Sequence, residues 1–201
     1  MARKGDSYEN RVTGERAVVL RGDEDSDGEP ALVHLVVTPG GAVAAEHYHP
    51  SVQERFRVVA GRLGTRLDGV EGTLSVGEEA TVPPGMPHDW WNAGDTEASV
   101  IVELTPADPR FPEMIATVFG LANAGRTNAK GMPNLLQLAL IATEFADVIV
   151  FTKPPAVVQK ALFGALAPIA RRRGYRGIYP EYLEPHARTG PDPEVARLAG
   201  I

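Results

Sequence analysis

Short β-rich runs separated by glycine, aspartate and proline fill the chain from about residue 17 to residue 104. They read AVVL, ALVHLVVTP, QERFRVVAG, RLGTRLDG, GTLSV, EATVPPG, HDWWNAG and ASVIVELTP. Many short strands at such spacing are typical of a β-sandwich or a closed barrel. No second copy of the pattern follows, so the sequence predicts a single, mainly β barrel.

After residue 106 the composition changes to helix-forming residues, with proline near each predicted start and glycine near each end. The pattern predicts three helices, at about 110–123, 133–150 and 154–173, with a kink at Pro168. From Glu181 onward the chain is rich in proline and polar residues. We therefore expect a barrel with an N-terminal arm at 1–106, a helical extension at 107–180 and a loosely held polar tail at 181–201.

Composition narrows the chemistry and the location. The 201 residues include no cysteine, so any metal must be held by nitrogen and oxygen. A formal charge of −6, with basic residues scattered except at 171–173, argues against a nucleic-acid partner. The N-terminus lacks the apolar region of a secretory signal, which favours the cytoplasm. The apolar window 135–151 is interrupted by polar residues and is too short for a membrane span.

Candidate metal ligands occur in the stretch EHYHPSVQERF, residues 46–56. In a strand, His47 and His49 project to the same side. In the next strand Glu54 shares a face with Phe56 and Val58, whose apolar side chains mark the buried side. A buried carboxylate beside two imidazoles is costly unless it is paired or binds a metal, although an exposed polar turn is the alternative.

A third histidine, His88, lies in the stretch GEEATVPPGMPHDWWN. The two stretches have the spacings G-x5-H-x-H-x4-E-x6-G, from Gly41 to Gly61, and G-x5-P-x-G-x2-H-x3-N, from Gly77 to Asn92. This pair of motifs resembles that of the cupin superfamily, with every defining position filled. The resemblance implies a cupin-type double-stranded β-helix, or jelly-roll barrel, followed by the helical segment.

The resemblance also implies that His47, His49, Glu54 and His88 bind one divalent transition metal inside the barrel. Imidazole and carboxylate ligands suit iron, manganese, nickel, copper or zinc. Iron, manganese or nickel is favoured because a five- or six-coordinate metal keeps positions for substrate or dioxygen. A metal with a purely structural role, or no metal, is the alternative.

By strand alternation, Trp90 shares the face of His88, and Phe56 and Val58 share that of Glu54. We expect these three to line a small apolar pocket suited to a planar aromatic or enolic ligand, although Trp90 could equally be a core residue. His34 is read as a packed residue or pocket wall, and His186 as solvated. The helices are expected to pack on the barrel or on a partner subunit, or to form a lid.

The leading functional hypothesis is a metal-dependent dioxygenase of an aromatic or enolic small molecule. Glu54 would act as a base, as the resemblance to quercetin-cleaving cupins suggests. Isomerisation or decarboxylation at the same metal is the near alternative, and a non-catalytic binding or sensor protein is the alternative from another class. The resemblance also favours a homodimer.

Overall fold

The computed structural model describes residues 2–22, 28–188 and 190–201. These residues form twelve strands and four helices. The strands, in chain order from β1 to β12, are Asp6–Asn10, Glu15–Arg21, Ala31–Val37, His47–Tyr48, Gln53–Ala60, Leu63–Leu67, Val70–Leu74, Glu79–Val82, His88–Asn92, Ala98–Thr105, Val150–Phe151 and Ala187–Arg188. The helices α1 to α4 are Arg110–Asn123, Leu135–Glu144, Ala156–Arg172 and Pro193–Ala199.

The strands form two antiparallel sheets that face each other as a jelly-roll barrel. One sheet has the order β12-β1-β2-β3-β10-β5-β8 and the other the order β11-β4-β9-β6-β7. The crossing order, in which β10 lies between β3 and β5, is that of a double-stranded β-helix rather than of a simple meander. The predicted fold class, a jelly-roll barrel followed by helices, is confirmed.

Strand alternation decides which side chains enter the barrel. In β5, Glu54, Phe56 and Val58 are buried while the residues between them are half-buried. Phe56 and Val58 pack with side chains of the neighbouring strands into the main core between the sheets. At the end of β5, Gly61 has φ of +72°, and a Cβ there would lie 2.5 Å from the Glu97 carbonyl oxygen, so the turn requires glycine.

The helical extension packs against the barrel and has its own core. Met114 and Leu121 of α1 meet Ile141, Phe145 and Val148 there. The second helix ends at Glu144, and the chain then forms strand β11, so the predicted helix over 133–150 is too long. The third helix continues through Pro168. None of the described helices is both long and apolar enough to cross a membrane.

The C-terminal segment is more ordered than the loosely held tail that its composition predicts. Strand β12 pairs with β1, and α4 buries Val195 against Leu20, Leu32 and Ile101 on the outer face of the seven-stranded sheet. Asp192 caps α4, since its side chain accepts hydrogen bonds from two backbone amides of the first turn. Polar composition does not reveal this packing, because only a few apolar side chains of the short helix, Val195 and Ala199, face the barrel.

Candidate metal centre

Three buried histidines converge inside the barrel. Strand β4 lies beside β9, and the pairing of these strands sets His47 directly opposite His88. His49 follows two residues after His47 and turns to the same side, as strand alternation predicts. One ring nitrogen from each of the three histidines lies within 4.8 Å of the others, and the ring centroids of His47 and His88 are 4.5 Å apart.

Backbone carbonyl groups orient the three imidazole rings. The Nδ1 atoms lie 2.8 Å from the Ala45 oxygen for His47, 2.7 Å from the Val148 oxygen for His49 and 3.1 Å from the Met86 oxygen for His88. A carbonyl oxygen only accepts, so each Nδ1 carries the proton that it donates. The Nε2 atom of each ring therefore faces the other two rings as the candidate metal-binding nitrogen, which is how histidine ligands of metals are usually supported. The Nε2 atom of His88 donates a hydrogen bond to Glu54, so this ring would have to lose a proton before it could bind a metal.

Glu54 lies beside two of these rings. Its Oε2 atom is 3.0 Å from His88 Nε2 and 3.6 Å from His49 Nε2. The Nε2 atom of His49 is buried, and no residue that the structure describes gives it a hydrogen-bond partner. A buried polar atom without a partner is costly and calls for an explanation such as a bound ion.

The electrostatics of the cluster follow from burial and mutual contact. Burial alone would raise the pKa of the Glu54 carboxyl, but the nearby imidazoles of His49 and His88, the second of which is hydrogen-bonded to it, outweigh burial and hold that pKa below its usual range. Burial would lower the pKa of His88, yet the hydrogen bond and charge of Glu54 raise it. Burial, reinforced by the other two histidines, lowers the pKa of His47 to about 3.

The donor set fits a divalent transition metal. Three imidazole nitrogens and an adjacent carboxylate, with no thiolate in the chain, are ligands that iron, manganese, nickel, copper and zinc accept. The Nε2 atom of His49, which has no hydrogen-bond partner among the described residues, is a suitable metal ligand. The hydrogen bond from its Nδ1 atom to the Val148 oxygen holds the ring in place. The structure thus brings together the four side chains that the motifs single out.

A cavity of about 180 Å³ opens beside the cluster, with His47, His49 and Glu54 in its wall. Trp90, which is 6% exposed, lines it and also packs in the core between the sheets. Phe56 and Val58, the other two residues expected in the pocket wall, are not among its lining residues. Both lie on the inward face of β5, but the core between the sheets fills the space around them.

The helical extension builds part of this site, which the motifs did not indicate. Strand β11 pairs with β4, so that Phe151 lies opposite His47, and the Val148 carbonyl orients His49. The ring of Phe111, at the start of α1, is 5.2 Å from that of His49. The β-branched run Val148 to Val150 is the signal that could have revealed the strand.

The other two histidines lie outside the cluster. The Nε2 atom of His34 is 2.7 Å from the Ser99 hydroxyl on the neighbouring strand, which makes His34 a packed residue rather than a pocket wall. His186 is exposed, and its Nδ1 accepts a hydrogen bond from the Glu9 amide.

Comparison with known proteins agrees with this architecture. The family model described as "Cupin domain" matches residues 33–103, from β3 to β10. Protein SchB of Streptomyces halstedii is 39% identical over 75 residues, which are 37% of this chain and 54% of that protein. Polyketide synthase CurC of Streptomyces cyaneus is 37% identical over 75 residues, 37% of this chain and 48% of that protein. The chain spans about half the length of these curated relatives.

Among solved structures, an RmlC-like cupin from Shewanella frigidimarina aligns with 55% of this chain and 93% of its own. The TM-score is 0.45 and the identity 22%.

Proposed function

Since this chain belongs to the cupin superfamily, we propose that it binds one divalent transition metal and uses it to oxygenate a small aromatic or enolic molecule. The observation that carries the proposal is the convergence of three oriented histidines beside a buried carboxylate in the wall of an apolar cavity. A structural role alone does not account for ligands that border an internal space of this size.

His47, His49, Glu54 and His88 would hold the metal. The three Nε2 atoms provide neutral donors, and the Glu54 carboxylate offsets part of the charge of the ion. The short distance of 3.0 Å between Glu54 Oε2 and His88 Nε2 supports the inclusion of this carboxylate among the ligands. Iron, manganese or nickel suits the proposal best, because these ions accept additional ligands beyond four protein donors, and zinc or copper is the alternative.

The metal, when bound, supplies a Lewis acid that favours the deprotonated form of a phenol or enol and a position for dioxygen. Residues of the chain would accept the proton and position the substrate. Glu54 is the carboxylate at hand to accept the proton from the substrate hydroxyl, while Trp90 and the apolar wall orient a flat ring and exclude water.

The similarity to a Streptomyces protein named as a polyketide synthase supports a polyketide-derived substrate. Polyketides are rich in phenols and enolisable ketones, which are the groups that a metal-centred oxygenation or isomerisation of this kind requires. The apolar lining of the cavity agrees with such a ring system and not with a sugar phosphate.

Metal analysis followed by oxygen uptake tests the proposal. The protein, purified without an affinity tag, should contain about one transition-metal ion per chain and should consume oxygen with a panel of hydroxylated naphthalenes and 1,3-diketones. His49→Ala should lose both properties, whereas His34→Ala, a buried histidine outside the cluster, should keep them. Tight binding of the panel without any turnover would favour the binding or sensor alternative. Turnover without oxygen uptake would favour isomerisation or decarboxylation.

A further inference from the structure

A second carboxyl group faces the same cavity and has no part in the proposed metal centre. Glu15 is the first residue of β2, and it is 7% exposed. Alternation along β2 turns Glu15 inward together with Ala17 and Val19, and all three line the cavity. An acidic side chain therefore occupies a position where the pattern of the strand places apolar residues.

The carboxyl group of Glu15 makes few polar contacts within the described residues. Its Oε2 atom accepts a hydrogen bond from the Thr13 hydroxyl, and no other hydrogen bond of the described residues involves its carboxyl group. None of the ion pairs in the described part of the chain includes it. Burial raises the pKa of the Glu15 carboxyl to about 7, although the hydrogen bond with Thr13 acts in the opposite direction.

The turn between β1 and β2 does not require the Glu15 carboxyl. The side-chain oxygen of Asn10 accepts hydrogen bonds from the Val12 and Thr13 amides, and its backbone oxygen accepts one from the Gly14 amide. Because the turn is closed without Glu15, a role in holding this hairpin does not explain a buried acid.

The end of the cavity at Glu15 is covered by the loop between α1 and α2. Gly131 of this loop has φ of +78°, and a Cβ there would lie 2.7 Å from Thr13 Cγ2 and 3.7 Å from Ala44 Cβ. Gly131 and the two residues after it line the cavity as well. Glu15 therefore faces a largely apolar part of the cavity, where a hydrogen-bonding group contributes most to ligand binding.

Glu15 lies well away from Glu54 on the inner face of the seven-stranded sheet. Three strand spacings separate them in the order β2-β3-β10-β5. Glu15 is paired with Val37 at one end of β3, whereas Glu54 is paired with Leu104, which faces Ala31 at the other end. The two backbone positions are six residues apart along the strand direction, which is about 20 Å in a flat sheet. Sheet curvature and the inward reach of both glutamate side chains shorten the distance between the two carboxyl groups, but a ligand that contacts both must still be elongated.

We propose that Glu15 is the second polar contact of the cavity and binds a hydroxyl or carbonyl oxygen at the end of the ligand that points away from the histidine cluster. The inference rests on the proposed function and narrows its substrate class. The substrate is an elongated, fused-ring phenol or enol with oxygen substituents at both ends. A neutral carboxyl donates to a carbonyl and accepts from a hydroxyl, so either substituent is satisfied.

Calorimetric titration of the metal-loaded full chain with 2-naphthol and with 2,6-dihydroxynaphthalene tests this assignment. The two probes share a ring system and differ by the distal hydroxyl. The wild-type protein should bind the diol roughly five- to tenfold more tightly than the mono-ol, which is the usual effect of one buried hydrogen bond. Glu15→Leu should abolish this preference and leave the affinity for 2-naphthol within about twofold.

Three further variants keep the result interpretable. Glu15→Gln retains a donor and an acceptor and should preserve the preference, which provides a folded reference should Glu15→Leu not fold. Thr13→Val, which removes the hydroxyl that positions the carboxyl, should reduce the preference. Glu97→Leu removes an exposed carboxylate between β9 and β10 and serves as the matched control, which should bind both probes as the wild type does.

The outcomes separate this inference from the proposed function. If both probes bind, and binding depends on the metal, but neither Glu15→Leu nor Thr13→Val changes the preference for the diol, the role of Glu15 is overturned and the proposed function stands. An equal affinity of the wild type for both probes would likewise overturn the role of Glu15 and leave the proposed function standing. If neither probe binds the metal-loaded wild type, both proposals are overturned.

Discussion

Replacing Glu15 by glutamine should remove a pH-dependent cost from the folded protein. The pKa of the Glu15 carboxyl is raised by burial from 4.5 to about 7, so the folded state binds its proton more tightly than the unfolded chain does. The cost of ionising this group is therefore absent below pH 4.5, grows between pH 4.5 and pH 7, and is complete above pH 7. Linkage between these two pKa values gives about 0.8 kcal/mol at pH 5 and about 3 kcal/mol at pH 8.

The assay is urea unfolding of the metal-free wild type and of Glu15→Gln at pH 5, 6, 7 and 8. The free energy of unfolding of the variant should exceed that of the wild type by an amount that grows by about 2.5 kcal/mol from pH 5 to pH 8. Glu97→Gln, at an exposed turn, should show a constant difference from the wild type. A difference between Glu15→Gln and the wild type that stays the same at all four pH values would refute the reasoning.

Other changes test the metal centre, the cavity and the subunit arrangement. His88→Ala should lower metal content at least tenfold while His34→Ala keeps it, as elemental analysis will show; equal metal content in the two variants contradicts the assignment. Glu54→Ala should weaken metal retention about 10- to 100-fold and leave the circular dichroism spectrum unchanged; full occupancy excludes it as a ligand. Trp90→Ala should weaken binding of 2-naphthol by more than fivefold in calorimetry, because the ring lines the cavity; unchanged affinity counts against the pocket. A homodimer should cover the exposed apolar side chains of α3, among which Val157 is 82% exposed, and light scattering that gives 21.5 kDa at every concentration excludes it.

The barrel and the convergence of the four motif residues could be predicted because the two motif spacings resemble those of cupins, and the side that each residue faces could be predicted because strand alternation is a local property. His47 and His49 share a side whatever surrounds them, and Glu54 shares the face of Phe56 and Val58 for the same reason. Alternation does not determine, however, whether an inward-facing side chain lines the cavity or is covered by its neighbours. Phe56 and Val58 point inward as predicted, but neighbouring side chains fill the barrel around them, so they form core and not cavity wall.

The contribution of the helical extension could not be predicted, because it depends on contacts distant in sequence. The stretch from Leu135 to Phe151 is mostly apolar, and its last residues fit a helix as well as a buried strand. Its last residues form β11 only because β4 offers an edge for pairing, and this places the Val148 carbonyl against His49. Glu15 could not be identified for a similar reason, since the cavity that it lines is formed together with residues distant in sequence, among them Gly131.

Glu54 and Glu15, two of the carboxyl groups that line the cavity, have opposite surroundings, and this difference suggests a division of roles. Glu54 lies against the imidazoles of His49 and His88, which stabilise its charged form and suit it to a cation. Glu15 has one hydroxyl partner and, among the described residues, forms no ion pair, so burial favours its neutral form at the same pH. One apolar cavity thus presents an anionic site for a metal and a neutral hydrogen-bonding site for a ligand.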